Sequence, residues 1–451
     1  MALARPANAI EQLSIAQRLI ERIGSTCSSW GGVRAFAWLK SRIPLSLRTV
    51  WFTYLNMTRN PNAVLYGIST AILSSIFLLN IGAHGSESAA HHGSAGGRNY
   101  YVSPNGSDRN AGSVKRPWAT MEYAAMWLLP GDTVHVRPGV YSGRIATAAS
   151  GVADARITYI SEQKWEAHII GDVVDRSAWD NRGNYVDIIG FDVSGIGRTG
   201  LYNDGSHVRF IANHVHDIAG PTSALCDNGG AGIFHGNYSG SDNDTIGNRV
   251  HDIGWTNASQ CATSGSQVHG IYHANLGGHI LNNLVYHNRA YGIHLWHAAS
   301  DVVISGNTVF NNGSSGLVVG AGDKPKGNRA DNCLVSNNIL AYNSRYGFVE
   351  SGNTGTHNRY LKNLTYENKL GPLQLQNGNV ADTITADPQF VNYTGDSRGD
   401  YRLKPGSPAI RSGTTEGAPV DDIEDRSRSG SGIDIGAYQS AAGPRSVLAT
   451  R

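Results

Sequence analysis

The chain repeats itself at intervals too short for a domain, and this limits its fold more than any other feature. Asn213, Asn248, Asn283, Asn307, Asn338 and Asn363 recur along it. Two places after them stand Val215, Val250, Val285, Val309, Leu340 and Thr365, mostly apolar. Four of these segments carry a second asparagine five places on: Asn288, Asn312, Asn343 and Asn368. A second column pairs glycine with an apolar residue, from Gly200-Leu201 through Gly232-Ile233, Gly270-Ile271, Gly292-Ile293 and Gly316-Leu317 to Gly347-Phe348. The spacing varies from 22 residues, between Gly270 and Gly292, to 38, between Gly232 and Gly270. Repeats of this length with a varying period describe a solenoid whose coils carry insertions at one corner. Apolar residues at period two mark short strands pointing every second side chain inward. Asparagines at one place in successive coils can stack amide on amide. The column glycines are expected to supply positive φ at a bend. A leucine-rich repeat would need a regular leucine framework, which is absent. The expected fold is all-β, a right-handed parallel β-helix.

Composition agrees with many tight turns. Of 451 residues 55 are Gly, and only 16% are charged. A formal net charge of +2 provides no global basic field for nucleic acid, so no nucleic-acid partner is expected. Residues 63–83 carry no charge and are long enough to span a bilayer. Arg34, Lys40, Arg42, Arg48 and Arg59 precede this run, and Glu87 is the nearest charge after it. That asymmetry places the C-terminal bulk outside. Met57 followed by this run reads as a signal peptide or signal anchor over 57–83. Residues 1–56 are then a cytoplasmic or mis-called upstream segment, and 84–97 a small, polar linker. The expected location is periplasmic or extracellular, with membrane contact only through the apolar run.

The block Tyr101-Val-Ser-Pro-Asn-Gly-Ser-Asp108, then Pro117 to Ala125, then Pro130 to Tyr141 resembles the start of bacterial right-handed parallel β-helix proteins of the pectate-lyase-like superfamily. The tail segments Asp387 to Val391, Leu403 to Ile410 and Asp434 to Tyr438 match the end of many secreted members. The resemblance implies an N-terminal cap and first coil over 98–144, coils over 145–380, a tail packed on the solenoid over 381–440 and a disordered end over 441–451. A capping helix is expected over Ala119–Leu129. A monomer acting on polysaccharide is expected.

Candidate chemistry gathers in the middle coils. Three places after the column glycine stand Asn203, His235, His273, Leu295, Val319 and Glu350; two places after it stand Tyr202, Phe234, Tyr272, His294, Val318 and Val349. Stacking is expected to bring His235 and His273 together, with His269, His294 and His297 close by. The predicted catalytic residues are His235, His273, His294, His297, Glu350, Lys324 and Arg345. Asn203, His269, Tyr272 and Trp296 are predicted to hold sugar. Cys226 and Cys261 lie in long loops ahead of consecutive column glycines. A disulfide between them is expected, with two free thiols the alternative; Cys333 reads as core.

Lyase chemistry on a uronate needs a base, a cation against the carboxylate and a donor for the leaving oxygen. Calcium is the candidate cofactor, with Arg or Lys able to take its place; no other cofactor is implied and the metal ligands are unassigned. The segment Tyr342 to Gly355 resembles the calcium region of one β-helical pectate lyase family. It departs from that pattern where Arg345 and Tyr346 replace consecutive aspartates. The paired aspartates and Gly-His-Gly of polygalacturonases are also missing, Val268-His269-Gly270 being only a fragment. Two functions are therefore weighed: an exported, lyase-like enzyme on acidic glycans, and a non-catalytic glycan-binding or envelope protein. The topology has a direct test. A reporter active only outside the cytoplasm is expected to be active when fused after Gly97, and an inactive fusion would contradict export.

Overall fold

Three parallel sheets carry almost all of the described chain, with eleven, ten and nine strands. Each coil places one strand in each sheet. Val186–Ile189 lies in the eleven-stranded sheet, Asp192–Ile196 in the ten-stranded sheet and Thr199–Asn203 in the nine-stranded sheet. Arg209–Ile211 then returns to pair with Val186–Ile189. The result is a right-handed parallel β-helix. This computed structural model describes residues 97–173, 176–219, 229–255, 267–322, 326–428 and 432–440, all within the unit Ser94–Arg451. The expectations for 1–96, 441–451, Cys226, Cys261 and Lys324 lie outside the described residues. Among those described, no helix is long and apolar enough to cross a membrane.

Alternation sets the core. Ile188, Val193, Leu201, Phe210, Val215 and Ile233 point inward and are fully buried. The corner from the eleven- to the ten-stranded sheet is built by stacked asparagines. The Nδ2 of Asn213, Asn248, Asn283, Asn307 and Asn338 each donates to the Oδ1 of the next, at 2.9 to 3.1 Å. Each backbone N–H donates to that same oxygen. A second ladder, Asn288 to Asn312 to Asn343 to Asn368, spans 2.8 to 3.0 Å per step at the next corner. One such bond contributes only about 1 kcal/mol net, but a buried partner left unpaired costs about 1–3 kcal/mol.

A five-residue helix, Met121–Ala125, is capped by the Thr120 hydroxyl and buries Met121 and Ala124 in the core. It is shorter than Ala119–Leu129, because Met126, Trp127 and Leu129 turn outward. From Phe390 onward the tail lies on the outer face of the ten-stranded sheet. Phe390, Tyr401, Ile423, Ile435 and Tyr438 there cover Leu284, Tyr286, Phe310, Ile339 and Leu364. Cys333 is a buried free thiol.

The column glycines have a different role from the one expected. None of Gly200, Gly232, Gly270, Gly292, Gly316 and Gly347 has positive φ. Their hydrogens face neighbouring backbone at close range. A Cβ on Gly270 would stand 2.6 Å from the Gly292 carbonyl oxygen and 2.7 Å from Asn288 Nδ2 and Val285 Cγ1. Positive φ falls instead on the residue before each ladder asparagine: Ala212, Gly247, Asn282, Gly306, Asn337 and Lys362. These two constraints separate in a mutant pair. Gly270→Ala is expected to lose about 3 kcal/mol, because backbone must shift. Gly247→Ala, with φ of 65° and nothing within 4 Å of its Cβ, is expected to lose about 1 kcal/mol from left-handed strain. Chemical denaturation checks the order, and equal losses would contradict it.

Candidate functional site

Register decides which predicted residues meet solvent. In the nine-stranded sheet Asn203 pairs with His235, and His235 with His273. The expected stacking is present, with the two imidazole centroids 5.5 Å apart, but it lies inside the solenoid. Asn203, His235 and His273 are each 0% exposed. They share parity with Leu201, Ile233 and Ile271, which point inward.

A third polar ladder runs through Asn203 and ends at His235. Asn181 Nδ2 donates to Asn203 Oδ1 at 3.1 Å, and Asn203 Nδ2 donates to His235 Nδ1 at 3.2 Å. The Gly205 N–H fixes the orientation of the Asn203 amide by donating to its Oδ1. His235 therefore accepts at Nδ1 and donates from Nε2 to Thr245 Oγ1 at 3.0 Å. His273 donates from Nε2 to the Gly277 carbonyl at 2.9 Å. Asn203, His235 and His273 are therefore scaffold; they do not line a glycan surface.

Glu350 is a second correction. It is 2% exposed and points inward in the same column. Its Oε2 accepts from the N–H groups of Gln376, Asn377 and Gly378, and its Oε1 from Asn358 Nδ2 and Tyr360 Oη. Burial opposes its ionisation, but these donors outweigh burial and hold its pKa below the ordinary value. A carboxylate so engaged closes a turn and cannot reach substrate. Arg345 is exposed at the corner before strand Tyr346–Gly352.

The outer face of the same sheet holds the remaining candidates. Register lines up Asp180, Tyr202, Phe234, Tyr272, His294, Val318 and Val349 along the solenoid axis. Phe234 stacks on Tyr272 with centroids 4.5 Å apart, and Tyr272 on His294 at 5.0 Å. Beside this column His294 Nδ1 meets His269 Nε2 at 3.0 Å, and Tyr291 stacks on His269. On the other side Tyr238 Oη meets His297 Nε2 at 3.0 Å. Trp296 lies over the backbone of the following coils, where a Cβ on Gly320 or Gly322 would come within 2.5 Å of its indole. Three coil steps separate Tyr202 from His294, about 14 Å at the usual strand spacing.

Burial favours the neutral form of two of these imidazoles: it lowers His269 to about 3, and lowers His294 too, helped by His269 and His297. Of the carboxylates, Asp180 is paired with Arg144 and Arg182, and Asp204 accepts from Tyr202 Oη. Among the described residues, no three carboxylate or imidazole ligands converge on this face. A calcium site made of carboxylates is therefore not assembled there by described residues.

The sequence reading thus placed His269, Tyr272, His294, Trp296 and His297 in one patch. It named Tyr202 and Phe234 in that column without giving them a role, and did not name Tyr238 or Tyr291. The signal was available, because Leu295 and Val319 continue the His235–His273 column and mark it as inward. It also missed a second histidine cluster around Asp192, on the ten-stranded sheet.

The fold and this face define a right-handed parallel β-helix with a strip of aromatic and imidazole side chains along one sheet. A family model for the Pel9A-like right-handed β-helix region matches residues 100–379. The chain belongs to this family. It is 26% identical to protein YwoF of Bacillus subtilis (strain 168), over 68% of this chain and 91% of that one. The crystal structure of pectate lyase Pel9A superposes with a TM-score of 0.56 at 19% identity, covering 77% of this chain and 97% of that one. A rhamnogalacturonan lyase gives a TM-score of 0.43 at 16% identity, covering 66% and 91%.

Buried imidazoles give stability a particular pH dependence. Burial lowers His273 from 6.5 to about 4. Above about pH 6.5 the imidazole is neutral in both folded and unfolded chains, and its contribution is complete. As pH falls from about 6.5 to about 4, only the unfolded chain takes up the proton. Stability then falls by at most about 1.4 kcal/mol per pH unit for each such histidine. His273→Asn keeps a polar side chain beside His235 and removes this titration. Its stability is expected to vary less than wild type between these pH values, measured by denaturation at a series of pH. An unchanged slope would contradict the assignment.

Proposed function

We propose that the protein is an exported, polysaccharide-active β-helix protein that works as a lyase on uronate glycans laid along the nine-stranded sheet. The observation that carries this reading is the unbroken outward column Tyr202, Phe234, Tyr272 and His294. The stacked rings present their edges and polar tips outward at one-coil intervals, which suits the apolar edges and hydroxyl groups of an extended sugar chain. Family membership and the resemblance to pectate lyase Pel9A support a lyase over a hydrolase. His294 is the candidate base. Its neutral imidazole is partly exposed at the end of the column, and a base must be unprotonated to take the proton beside the uronate carboxylate. Arg345 and Lys324 are the candidate cations. Calcium is the candidate replacement, to be tested by addition.

The competing reading, a non-catalytic glycan-binding protein, gains from one observation. Glu350, His235 and His273 leave the catalytic set because they are inside the solenoid. A panel of uronate polymers, with and without calcium, separates the two. The lyase reading expects unsaturated, ultraviolet-absorbing products. His294→Ala is expected to lower turnover about a hundredfold, and Tyr272→Ala to weaken binding about tenfold. Retained binding with no product on any polymer would leave the binding reading. Neither binding nor product would remove both.

A further inference from the structure

The ten-stranded sheet gathers histidines on its own outer face. Register puts His168, Asp192, His214 and Arg249 in one outward column. His216 and His251 pair in the next one. Three imidazoles, His214 and His216 from one strand and His168 from another, converge on a single carboxylate. His214 Nδ1 lies 2.8 Å from Asp192 Oδ2, His216 Nε2 lies 3.2 Å from the same oxygen, and His168 Nδ1 lies 3.2 Å from Asp192 Oδ1. Asp192 is 9% exposed, and His214 and His216 are partly buried. Nearby charge comes from Asp217, Asp252, Arg249 and Lys164, the last two lying over the Trp165 ring.

The proton inventory of this cluster does not close for neutral imidazoles. Asp252 only accepts, so the His251 nitrogen beside it, Nδ1 at 2.5 Å, must donate. Neutral His251 then presents a lone pair at Nε2. His214 Nε2 stands 2.8 Å away and must supply the proton of that contact. Neutral His214 is left with a lone pair at Nδ1, facing the Asp192 carboxylate at 2.8 Å. His216 has carboxylates at both nitrogens, Asp217 at 2.7 Å and Asp192 at 3.2 Å. Burial opposes its charge, but these carboxylates raise its pKa above the ordinary value, favouring a proton on each nitrogen. One imidazole lone pair, at His214 Nδ1, therefore aims at the Asp192 carboxylate. A cation at the meeting point of the three side chains would take up that lone pair and stand in for the His216 proton facing Asp192.

We propose that Asp192, His214 and His216 form a binding site for a first-row transition-metal ion of the zinc class. Their ligand atoms all lie within 4.8 Å of one another. The edges of 2.8 and 3.2 Å from Asp192 suit a metal with bonds of about 2.0–2.1 Å. Two imidazole nitrogens and one carboxylate select zinc, cobalt or nickel over calcium and magnesium, which take oxygen ligands. Each ligating histidine already has an outer partner, Asp217 on His216 and His251 on His214, as metal-bound histidines usually do. His168 lies against the other Asp192 oxygen and stands outside this group of three. Because the ligands come from consecutive coils, the ion would pin coil to coil at the edge of the region covered by the tail.

The test uses the chelator-stripped, full-length protein with Zn2+ or Co2+ as the probe. Calorimetry is expected to show a zinc site of micromolar or tighter affinity, and Co2+ is expected to develop visible absorption from imidazole and carboxylate ligands. Zinc is expected to raise the melting temperature by several degrees, and Ca2+ or Mg2+ to leave it unchanged. Asp192→Asn and His216→Gln are expected to weaken zinc at least tenfold and abolish the cobalt spectrum. Their metal-free melting temperatures, with circular dichroism, establish that each variant is folded. His216→Gln is the fallback if Asp192→Asn does not fold, because its side chain is partly exposed. His91→Ala with His92→Ala controls for binding outside the cluster and is expected to keep the site. No zinc binding by wild type, or affinity unchanged in a folded His216→Gln protein, would overturn the proposal.

Discussion

The buried bond from one asparagine amide to the next is the interaction on which this solenoid depends. Asn307 shows why. Its Nδ2 donates to Asn338 Oδ1 and to the Ile280 carbonyl, and its Oδ1 accepts from the side chain and backbone of Asn283. Each asparagine is completed only by the coils on either side, so an isolated coil could not satisfy it. The ladder also sets the backbone. A left-handed residue immediately before each asparagine turns the chain from the eleven-stranded to the ten-stranded sheet in one step. That corner leaves no room for variation in length. The spread in coil length is therefore taken up at other corners, where chemistry can differ from coil to coil.

The solenoid interior is not wholly apolar, and that governs how histidine behaves in this chain. The nine-stranded sheet begins its inner column with Thr147, Asn181 and Asn203, continues through His235 and His273, then changes to Leu295 and Val319 before Glu350. Where donors and acceptors are supplied by neighbours, polar groups can be buried at low cost. The imidazoles stay neutral there, and Glu350 stays charged because five donors surround it. On the opposite face of the same strands, aromatic rings are left partly exposed in a row. Packing and ligand recognition thus occupy alternate residues of one strand.

The tail divides the outer surface in a similar way. It covers the ten-stranded sheet where the outward column is apolar, from Leu284 and Tyr286 to Leu364. In the three preceding coils the outward positions hold His251, then His214 and His216, then Asp192. Tyr286 sits at this border, stacked on His251 at 4.6 Å and on Phe310 at 4.9 Å.

The sequence by itself determined the fold class, because its asparagine column and period-two apolar pattern admit only coils stacked in parallel. It also determined that His235 meets His273 and that Tyr272 and His294 share a column, since register follows from the repeat. Leu295 and Val319 hinted at the inward side of the His235–His273 column, but the tertiary structure decided that its polar members are buried with them. Slipping by one residue exchanges inside for outside, and histidine, asparagine and glutamate suit either environment when partners are supplied. It also decided the meaning of the column glycines, which are required by close backbone approach and not by positive φ. The gathering of His168, Asp192, His214 and His216 was equally invisible in sequence. These residues are 22 to 24 positions apart across their contacts, and only the pairing of successive strands brings them to one point.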